Sequence, residues 1–296
     1  MQTVTKSLRT DRRGMKNFSG KVAVITGAGA GIGQALAVQL AERGSSLALA
    51  DVNDTGLRAT RAMVTAAGTV CSTHVVDVAD RAAVEAFAAD VFQEHGAVHL
   101  VVNNAGVAMI NTAEQIAYAD LEWIMNINFW GVVYGTKAFL PYLRKADEAH
   151  IVNVSSILGL VSAPLSSAYS ASKFAVRGFT EALKFELAGS PINVSVVYPG
   201  GIKTSITKNS RIGEGGVAKS KQEINAEFDE RAITTAEKAA AAIIRGIERN
   251  KRRILIGSDA KLADWIGRHF PGTYEKIMGL EKEVRRRAEE RAASKP

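Results

Sequence analysis

Cysteine is nearly absent from the chain, and this scarcity excludes several classes of protein. Cys71 is the only cysteine among 296 residues, so no internal disulfide framework can hold the fold together. It lies in the apolar run TVCSTHVVDV, which favours a small buried side chain over a nucleophile. The five histidines are scattered without the spacing of metal ligands, so the sequence predicts no metal site.

Long apolar runs are also missing. No stretch approaches the roughly 20 apolar residues that a transmembrane helix needs, and the N-terminus lacks the apolar core of a signal peptide. We therefore expect a cytoplasmic protein with no transmembrane segment. The net charge of +7 is concentrated at the two ends, in residues 1–21 and 245–296. Basic ends without interleaved aromatic residues favour solvated termini, and we expect no nucleic-acid partner.

Strand-like and helix-like segments alternate from about residue 21 to 257. The strand candidates, such as KVAVIT and SLALAD, are continuous apolar runs, which is typical of a parallel sheet covered on both faces. The alternation predicts a single doubly wound, Rossmann-type α/β domain with a central parallel sheet flanked by helices. A long helix is expected over residues 120–144 and another over 168–187.

Four segments describe the expected organisation of the chain. Residues 1–17 are a basic extension that we expect to be disordered, and residues 18–257 form the Rossmann-type domain. Within it, the polar segment 205–232 is expected to be a substrate lid, with a plain surface insertion as the alternative. Residues 258–296 are expected to form a helical, basic C-terminal extension.

A glycine-rich string, TGAGAGIG, lies between the first strand and the first helix, at residues 26–33. Glycine permits positive φ and lets the backbone approach a ligand closely, and the N-terminus of the following helix favours a pyrophosphate. The cofactor-binding residues predicted here are Gly27, Gly29, Ala30, Gly31, Ile32 and Gly33. The spacing differs from the GxGxxG of the larger dinucleotide dehydrogenases.

Asp51 ends the second strand, 18 residues after Gly33, and Val52 follows it. A carboxylate at this position accepts hydrogen bonds from ribose hydroxyls and repels a 2′-phosphate. No Arg or Lys lies in the glycine loop or in residues 50–57. The sequence therefore favours NAD over NADP, with a loop-capping role as the alternative for Asp51.

Tyr169 and Lys173 stand four residues apart, which places both side chains on one face of a helix. A tyrosine has a pKa near ~10, and a nearby ammonium lowers it, so Tyr169 could act as a general base or acid. The spacing alone is common by chance. Ser156, at the end of a strand 13 residues earlier, and Asn128, in the long predicted helix, add to it. Ser156 could hydrogen-bond a substrate oxygen.

Together these motifs resemble the classical short-chain dehydrogenase/reductase family. The matching features come in family order and spacing over roughly residues 18–257: TGAGAGIG, Asp77, NNAG (103–106), Asn128, Ser156, YSASK (169–173) and PGGIKT (199–204). One departure is His99, which stands where many relatives have Asp before a strand.

The resemblance implies a role for each matching residue. Tyr169 would donate or accept the proton, Lys173 would bind the nicotinamide ribose and lower the Tyr169 pKa, and Ser156 would polarise the substrate oxygen. Asn128 would hold a water that links Lys173 to solvent. The further cofactor contacts implied are Asp77, Val78, Asn104, Ala105, Gly106, Pro199, Gly200, Ile202 and Thr204, the last two at the carboxamide.

The favoured function is therefore an oxidoreductase that transfers a hydride between NAD(H) and a secondary alcohol or ketone. Leu158, with Leu160, Val161 and Leu165, favours an apolar substrate, although these residues could simply pack the fold. The alternative is a nucleotide-binding protein that acts through partners. A homodimer or homotetramer is implied, and the C-terminal helix is expected to pack on protein rather than on a membrane.

Overall fold

The computed structural model describes residues 14–66, 68–204, 206, 210–213 and 220–280. Its strands are short, as expected for elements buried between helices. They are β1 (Val22–Thr26), β2 (Ser46–Asp51), β3 (Cys71–Val75), β4 (Leu100–Asn103), β5 (Met109–Ile110), β6 (Ala149–Val154), β7 (Ile192–Pro199), β8 (Ile202–Lys203), β9 (Arg211–Ile212), β10 (Thr234–Thr235) and β11 (Arg253–Ile256).

The helices follow the strands in the alternation that the sequence predicts. They are α1 (Gly31–Ala41), α2 (Asp54–Thr65), α3 (Arg81–His95), α4 (Tyr118–Met125), α5 (Gly131–Leu143), α6 (Ser167–Glu186), α7 (Lys221–Arg231), α8 (Ala236–Glu248), α9 (Ser258–His269) and α10 (Tyr274–Ile277). A π-helical turn (Asn126–Trp130) joins α4 to α5, and a 3-10 turn (Ile157–Gly159) follows β6.

Seven of the strands form one parallel sheet in the order β11-β7-β6-β4-β1-β2-β3. From β1 the chain winds outward to β2 and β3, then returns to the other side of β1 to form β4. The carboxyl ends of β1 and β4 therefore border the switch point, where open α/β sheets bind their ligands. The doubly wound fold class predicted from the sequence is confirmed.

Apolar side chains cover both faces of this sheet. Ile25 points into a cluster that includes Leu36 and Ile243 from α1 and α8, while its neighbour Val24 points into a cluster that includes Phe87 and Phe139. Successive strand residues alternate between faces, so a strand covered on both sides must be apolar throughout. This explains why the strand candidates read as continuous apolar runs.

Two features differ from the sequence-based expectations. The predicted helix over residues 120–144 is interrupted by the π-helical turn at Asn126–Trp130. Met15 is fully buried and Phe18 nearly so, which means that packing begins inside the predicted extension 1–17. Within segment 205–232, β9 pairs with β5, and α7 begins at a capping box formed by Ser220 and Glu223. Residues 281–296 of the expected C-terminal extension lie outside the described residues.

Candidate active site

A cavity of about 650 Å³ opens at the carboxyl ends of the central strands. It brings together residues that are far apart in the chain, from the glycine loop to the turn after β7. The predicted residues that line it are Gly27, Ala30, Gly31, Ile32, Asp51, Val52, Asp77, Val78, Asn104, Ala105, Gly106, Ser156, Leu158, Tyr169, Lys173, Pro199, Gly200, Ile202 and Thr204. Among the described residues, Gly29, Gly33 and Asn128 are the predicted ones that do not line it.

The glycine loop takes a conformation that other residues would oppose. Gly27 and Gly31 have φ of 65° and 57°, in the left-handed region. Gly33 is needed for a different reason, because a Cβ there would overlap the carbonyl oxygen of Gly27. No described side chain caps α1, whose N-cap is Ala30, so its first turn offers uncapped N–H groups beside the cavity.

Asp51 holds the loop from the side of β2. Its Oδ2 accepts a hydrogen bond from the Gly29 amide at 2.9 Å, and its Oδ1 accepts one from the Asn53 amide at 3.0 Å. The loop-capping role that the sequence left open is therefore present, and the same carboxylate also lines the cavity.

Asn104, which follows β4, also stabilises the glycine loop. Its side-chain amide donates to the carbonyls of Thr26 and Gly27, at 2.9 and 3.2 Å. In return, the Thr26 hydroxyl accepts from the amides of Asn104 and Ala105, both at 3.0 Å. Sequence reasoning missed Thr26 as a residue that orders the site, although its position at the end of β1 was the available signal.

Lys173 reaches the cavity from the first turns of α6 and is only 3% exposed. Its Nζ donates to the Val154 carbonyl at 3.2 Å and lies 5.7 Å from the centre of the Tyr169 ring. Burial lowers the pKa of this ammonium to about 8. Gly106 makes room for it, because a Cβ there would approach Nζ to 3.2 Å.

Tyr169 packs against a small apolar cluster that includes Met109 and Ile124. Burial raises the pKa of its phenol, and a hydrogen bond with the Ser156 side chain partly opposes this effect. The direction is opposite to the lowering expected from Lys173. The Ser156 hydroxyl also accepts a hydrogen bond from the Leu158 amide at 3.1 Å. This bond fixes the Ser156 hydroxyl at the start of the 3-10 turn.

Asn128 is fully buried in the π-helical turn, and protein groups occupy its amide. Its Oδ1 accepts from the Val107 amide at 2.8 Å, while its Nδ2 donates to the Val107 carbonyl and to the Ser172 hydroxyl. The Asn128 side chain thus links Val107, which follows NNAG, to Ser172 of α6. Turns of this type are frequent at functional sites.

Ser155 has a structural task that differs from that of its neighbour. Its hydroxyl donates to the Lys173 carbonyl at 2.7 Å and so docks α6 against the end of β6. Gly159 permits this approach, because a Cβ there would overlap the Ser155 hydroxyl. Of the two serines, Ser156 is the one whose side chain hydrogen-bonds Tyr169.

Apolar residues line the remaining wall of the cavity, and several were missed from the sequence. They are Met109, Ile110, Ile127, Ile157, Ile206 and Phe228. Of the four apolar residues considered earlier, Leu158 lines the cavity, whereas Val161 is buried against Gly267 of α9. Ile206 and Phe228 belong to the segment expected to be a lid.

The described residues contain no cluster of three or more His, Cys, Asp or Glu side chains arranged to hold a metal ion. None of the described helices has the length and apolarity that crossing a bilayer requires.

Comparison with known proteins gives a consistent result. A family model for the short chain dehydrogenases matches residues 21–215. The oxidoreductase SadH of Mycobacterium tuberculosis is 44% identical over 268 residues, which cover 89% of this chain and 96% of SadH. Estradiol 17-beta-dehydrogenase 11 of Macaca fascicularis is 34% identical over 71% of each chain. The crystal structure of a Burkholderia phymatum short chain dehydrogenase/reductase in complex with NAD is 32% identical, has a TM-score of 0.79, and covers 86% of this chain and 95% of that one.

Proposed function

Because the chain belongs to the short-chain dehydrogenase/reductase family of oxidoreductases, we propose that it interconverts a secondary alcohol and a ketone with NAD(H). The observation that carries this proposal is the cavity itself. Tyr169, Ser156 and Lys173 line the same space as Asp51 and the glycine loop. A candidate proton donor and the residues that would hold the nucleotide thus line one cavity.

The residues of the cavity fit a dinucleotide. The uncapped first turn of α1 suits a pyrophosphate, and Gly27 and Gly31 let the backbone come close to it. Asp51 would accept hydrogen bonds from the hydroxyls of the adenosine ribose, which favours NAD over NADP. Asp77 and Val78 would lie by the adenine. Lys173 would hold the nicotinamide ribose. A crystal structure of a 32% identical relative contains NAD, which supports the same cofactor class here.

When bound, the cofactor accepts or supplies the hydride, and its oxidised ring brings a positive charge. The protein's own groups handle the proton. Ser156 would hold the substrate oxygen by hydrogen bonding, and Tyr169 Oη would take the alcohol proton in oxidation or return it in reduction. Because burial raises the Tyr169 pKa, positive charge close to the phenol is required to form the phenolate near neutral pH. The Lys173 ammonium supplies part of it.

An apolar substrate fits the rest of the cavity. Ile157, Leu158, Ile206 and Phe228 offer aliphatic and aromatic surface in the cavity that Tyr169 also lines. Apolar contacts of this kind contribute about 25 cal/mol for each Å² removed from water. A hydrophobic secondary alcohol would therefore bind better than a sugar alcohol of similar length.

The test is turnover by Tyr169→Phe in a screen of secondary alcohols with NAD. We expect activity to fall by at least 10²-fold, in line with the usual contribution of general acid–base catalysis, while NADH still binds. Tyr142→Phe is the matched control, because Tyr142 stacks on Phe92 rather than lining the cavity. Full activity of Tyr169→Phe would refute the assigned chemistry. NADH binding without turnover of any alcohol or ketone would favour a protein that acts through partners.

We also propose that the chain forms a homodimer or homotetramer through α5 and α6. The supporting observation is a set of exposed aromatic side chains on and beside these helices: Trp130 is 42% exposed and Phe185 is 71% exposed. An interface across these helices would remove both aromatic rings from water. A monomeric mass in light scattering at micromolar concentration would contradict this assembly.

A further inference from the structure

A carboxylate outside the predicted site holds one of the turns that line the cavity. Asp259 lies in the first turn of α9, and its Oδ2 accepts a hydrogen bond from the Gly201 amide at 2.6 Å. Pro199, Gly200, Gly201 and Ile202 all line the cavity, whereas Asp259 does not. The carboxylate therefore acts on the cavity from behind the turn.

Two glycines close around this carboxylate. A Cβ at Gly200 or at Gly257 would overlap its oxygen atoms. Gly257 has φ of 94° and needs glycine for its backbone as well. Gly200 is not among the residues with positive φ, so its backbone tolerates a side chain. The proximity of Asp259 is thus the reason that the structure offers for a glycine at position 200.

Both the N–H and the C=O group of Gly201 are hydrogen-bonded. Its N–H donates to Asp259, and its C=O accepts from the Thr234 amide at 3.3 Å, next to the pairing of β8 with β10. Beyond the turn, Thr204 meets the glycine loop, since a Cβ at Gly31 would lie 3.1 Å from the Thr204 methyl. The position of Gly201 therefore governs where Ile202 and Thr204 stand relative to that loop.

The helix that presents Asp259 is itself anchored. Asp264 of α9 pairs with Arg253 of β11 at 2.5 Å, and the two side chains are only 13% and 20% exposed. Further along, Gly267 packs against Val161, close to the 3-10 turn. The Oδ1 atom of Asp259 is buried without a hydrogen-bond partner among the described residues. Leaving a carboxylate oxygen unpaired costs stability, so this carboxylate is not explained by stability alone.

We propose that Asp259 is a positioning residue that fixes the Gly200–Gly201 turn so that Ile202 and Thr204 receive the nicotinamide end of the cofactor. This inference rests on the proposed function. It predicts that loss of Asp259 weakens the nicotinamide half of the binding site and spares the adenosine half, which lies at the glycine loop and Asp51.

Calorimetric titration with NADH and with ADP-ribose separates the two halves, because ADP-ribose lacks the nicotinamide. For Asp259→Ala we expect NADH to bind about tenfold more weakly, the low end of what a hydrogen bond to a charged group contributes, with ADP-ribose affinity changed less than twofold. Asp259→Asn keeps an acceptor for Gly201 and should recover most of the loss. Lys261→Ala is the control on the same helix, because Lys261 is exposed, and it should leave the NADH to ADP-ribose ratio unchanged.

A second arm tests the contact directly. Gly200→Ala alone should weaken NADH binding, because the methyl group displaces the carboxylate. In the Asp259→Ala background the same change should have less than half of that effect, which would reveal coupling between the two positions. Equal losses for NADH and ADP-ribose, or additive effects of the two substitutions, would overturn the role of Asp259. If the unchanged protein bound ADP-ribose but not NADH, the proposed function would fall together with this inference.

Discussion

Lys173 should make the folded protein less stable at neutral pH than an apolar side chain would. It is 3% exposed, its ammonium donates a hydrogen bond to the Val154 carbonyl, and burial accounts for its lowered pKa. A buried ammonium that must shed water is unfavourable unless it is fully paired. Replacement of Lys173 by Met keeps a linear side chain and removes the charge.

The magnitude follows from the pKa values of the folded and unfolded states. A fall from 10.5 to about 8 corresponds to about 3 kcal/mol of destabilisation below pH 8. Loss of the donor to the Val154 carbonyl offsets about 1 kcal/mol of the gain. Lys173→Met should therefore raise the free energy of unfolding by about 2 kcal/mol at pH 7, while removing turnover.

The sign of the pH dependence gives the sharper test. Between pH 8 and 10.5 the unfolded chain binds the Lys173 proton and the folded chain does not, so wild-type stability from this group rises by about 1.4 kcal/mol per pH unit. The advantage of Lys173→Met should accordingly vanish near pH 9.5. Below pH 8 it should be constant.

Equilibrium urea unfolding, followed by the fluorescence of the three tryptophans, measures these free energies. Lys238→Met is the matched control, because Lys238 is exposed on α8 and its replacement should change neither the stability nor its pH dependence. A Lys173→Met variant that is less stable than wild type at pH 7, or one whose advantage is the same at pH 7 and 9.5, would refute the reasoning.

Two further predictions concern the cofactor and acid stability. Asp51→Asn keeps an acceptor for the Gly29 amide but removes the charge that repels a 2′-phosphate. The ratio of kcat/KM with NADP to kcat/KM with NAD should therefore rise at least tenfold. An unchanged ratio in steady-state kinetics would disprove the role of Asp51. His150 is fully buried against the Ser195 hydroxyl, and burial lowers its pKa to about 3. The unfolded chain binds this proton below about pH 6.5, whereas the folded chain does not. The free energy of unfolding should therefore fall by about 2 kcal/mol through His150 as the pH falls from 7 to 5. In urea unfolding, His150→Asn should flatten the dependence of this free energy on pH over that range.

The elements of the fold were predictable where local sequence and burial agree. The strands β1 and β2 are apolar on both faces because helices cover both faces, so the sequence itself reveals a parallel sheet. The helix that carries Tyr169 was expected over 168–187 and spans Ser167–Glu186. The π-helical turn at Asn126–Trp130 was not predictable in this way, because its residue types also suit an ordinary helix.

The site was predictable only as far as motifs extend. Contacts between segments distant in sequence escaped prediction, such as the pairing of β5 with β9. Segment 205–232 was expected to be a lid, but the sequence did not single out Phe228 within it. Asp259 escaped for the same reason: in the sequence it is one acidic residue at the start of a tail helix, where a carboxylate is favourable in any case. Its partner Gly201 lies 58 residues away, and only the fold brings the two together.

Burial acts in opposite directions on the two side chains that define the site. It raises the pKa of Tyr169 and lowers that of Lys173, so both changes favour the neutral pair over a phenolate beside an ammonium. Burial in the protein alone therefore opposes ionisation of Tyr169. In the proposed reaction, an oxidised nicotinamide held by Lys173 would supply additional positive charge that favours the Tyr169 phenolate. The basicity of Tyr169 would then depend on occupancy of the cavity, and proton abstraction would be coupled to the presence of the hydride acceptor.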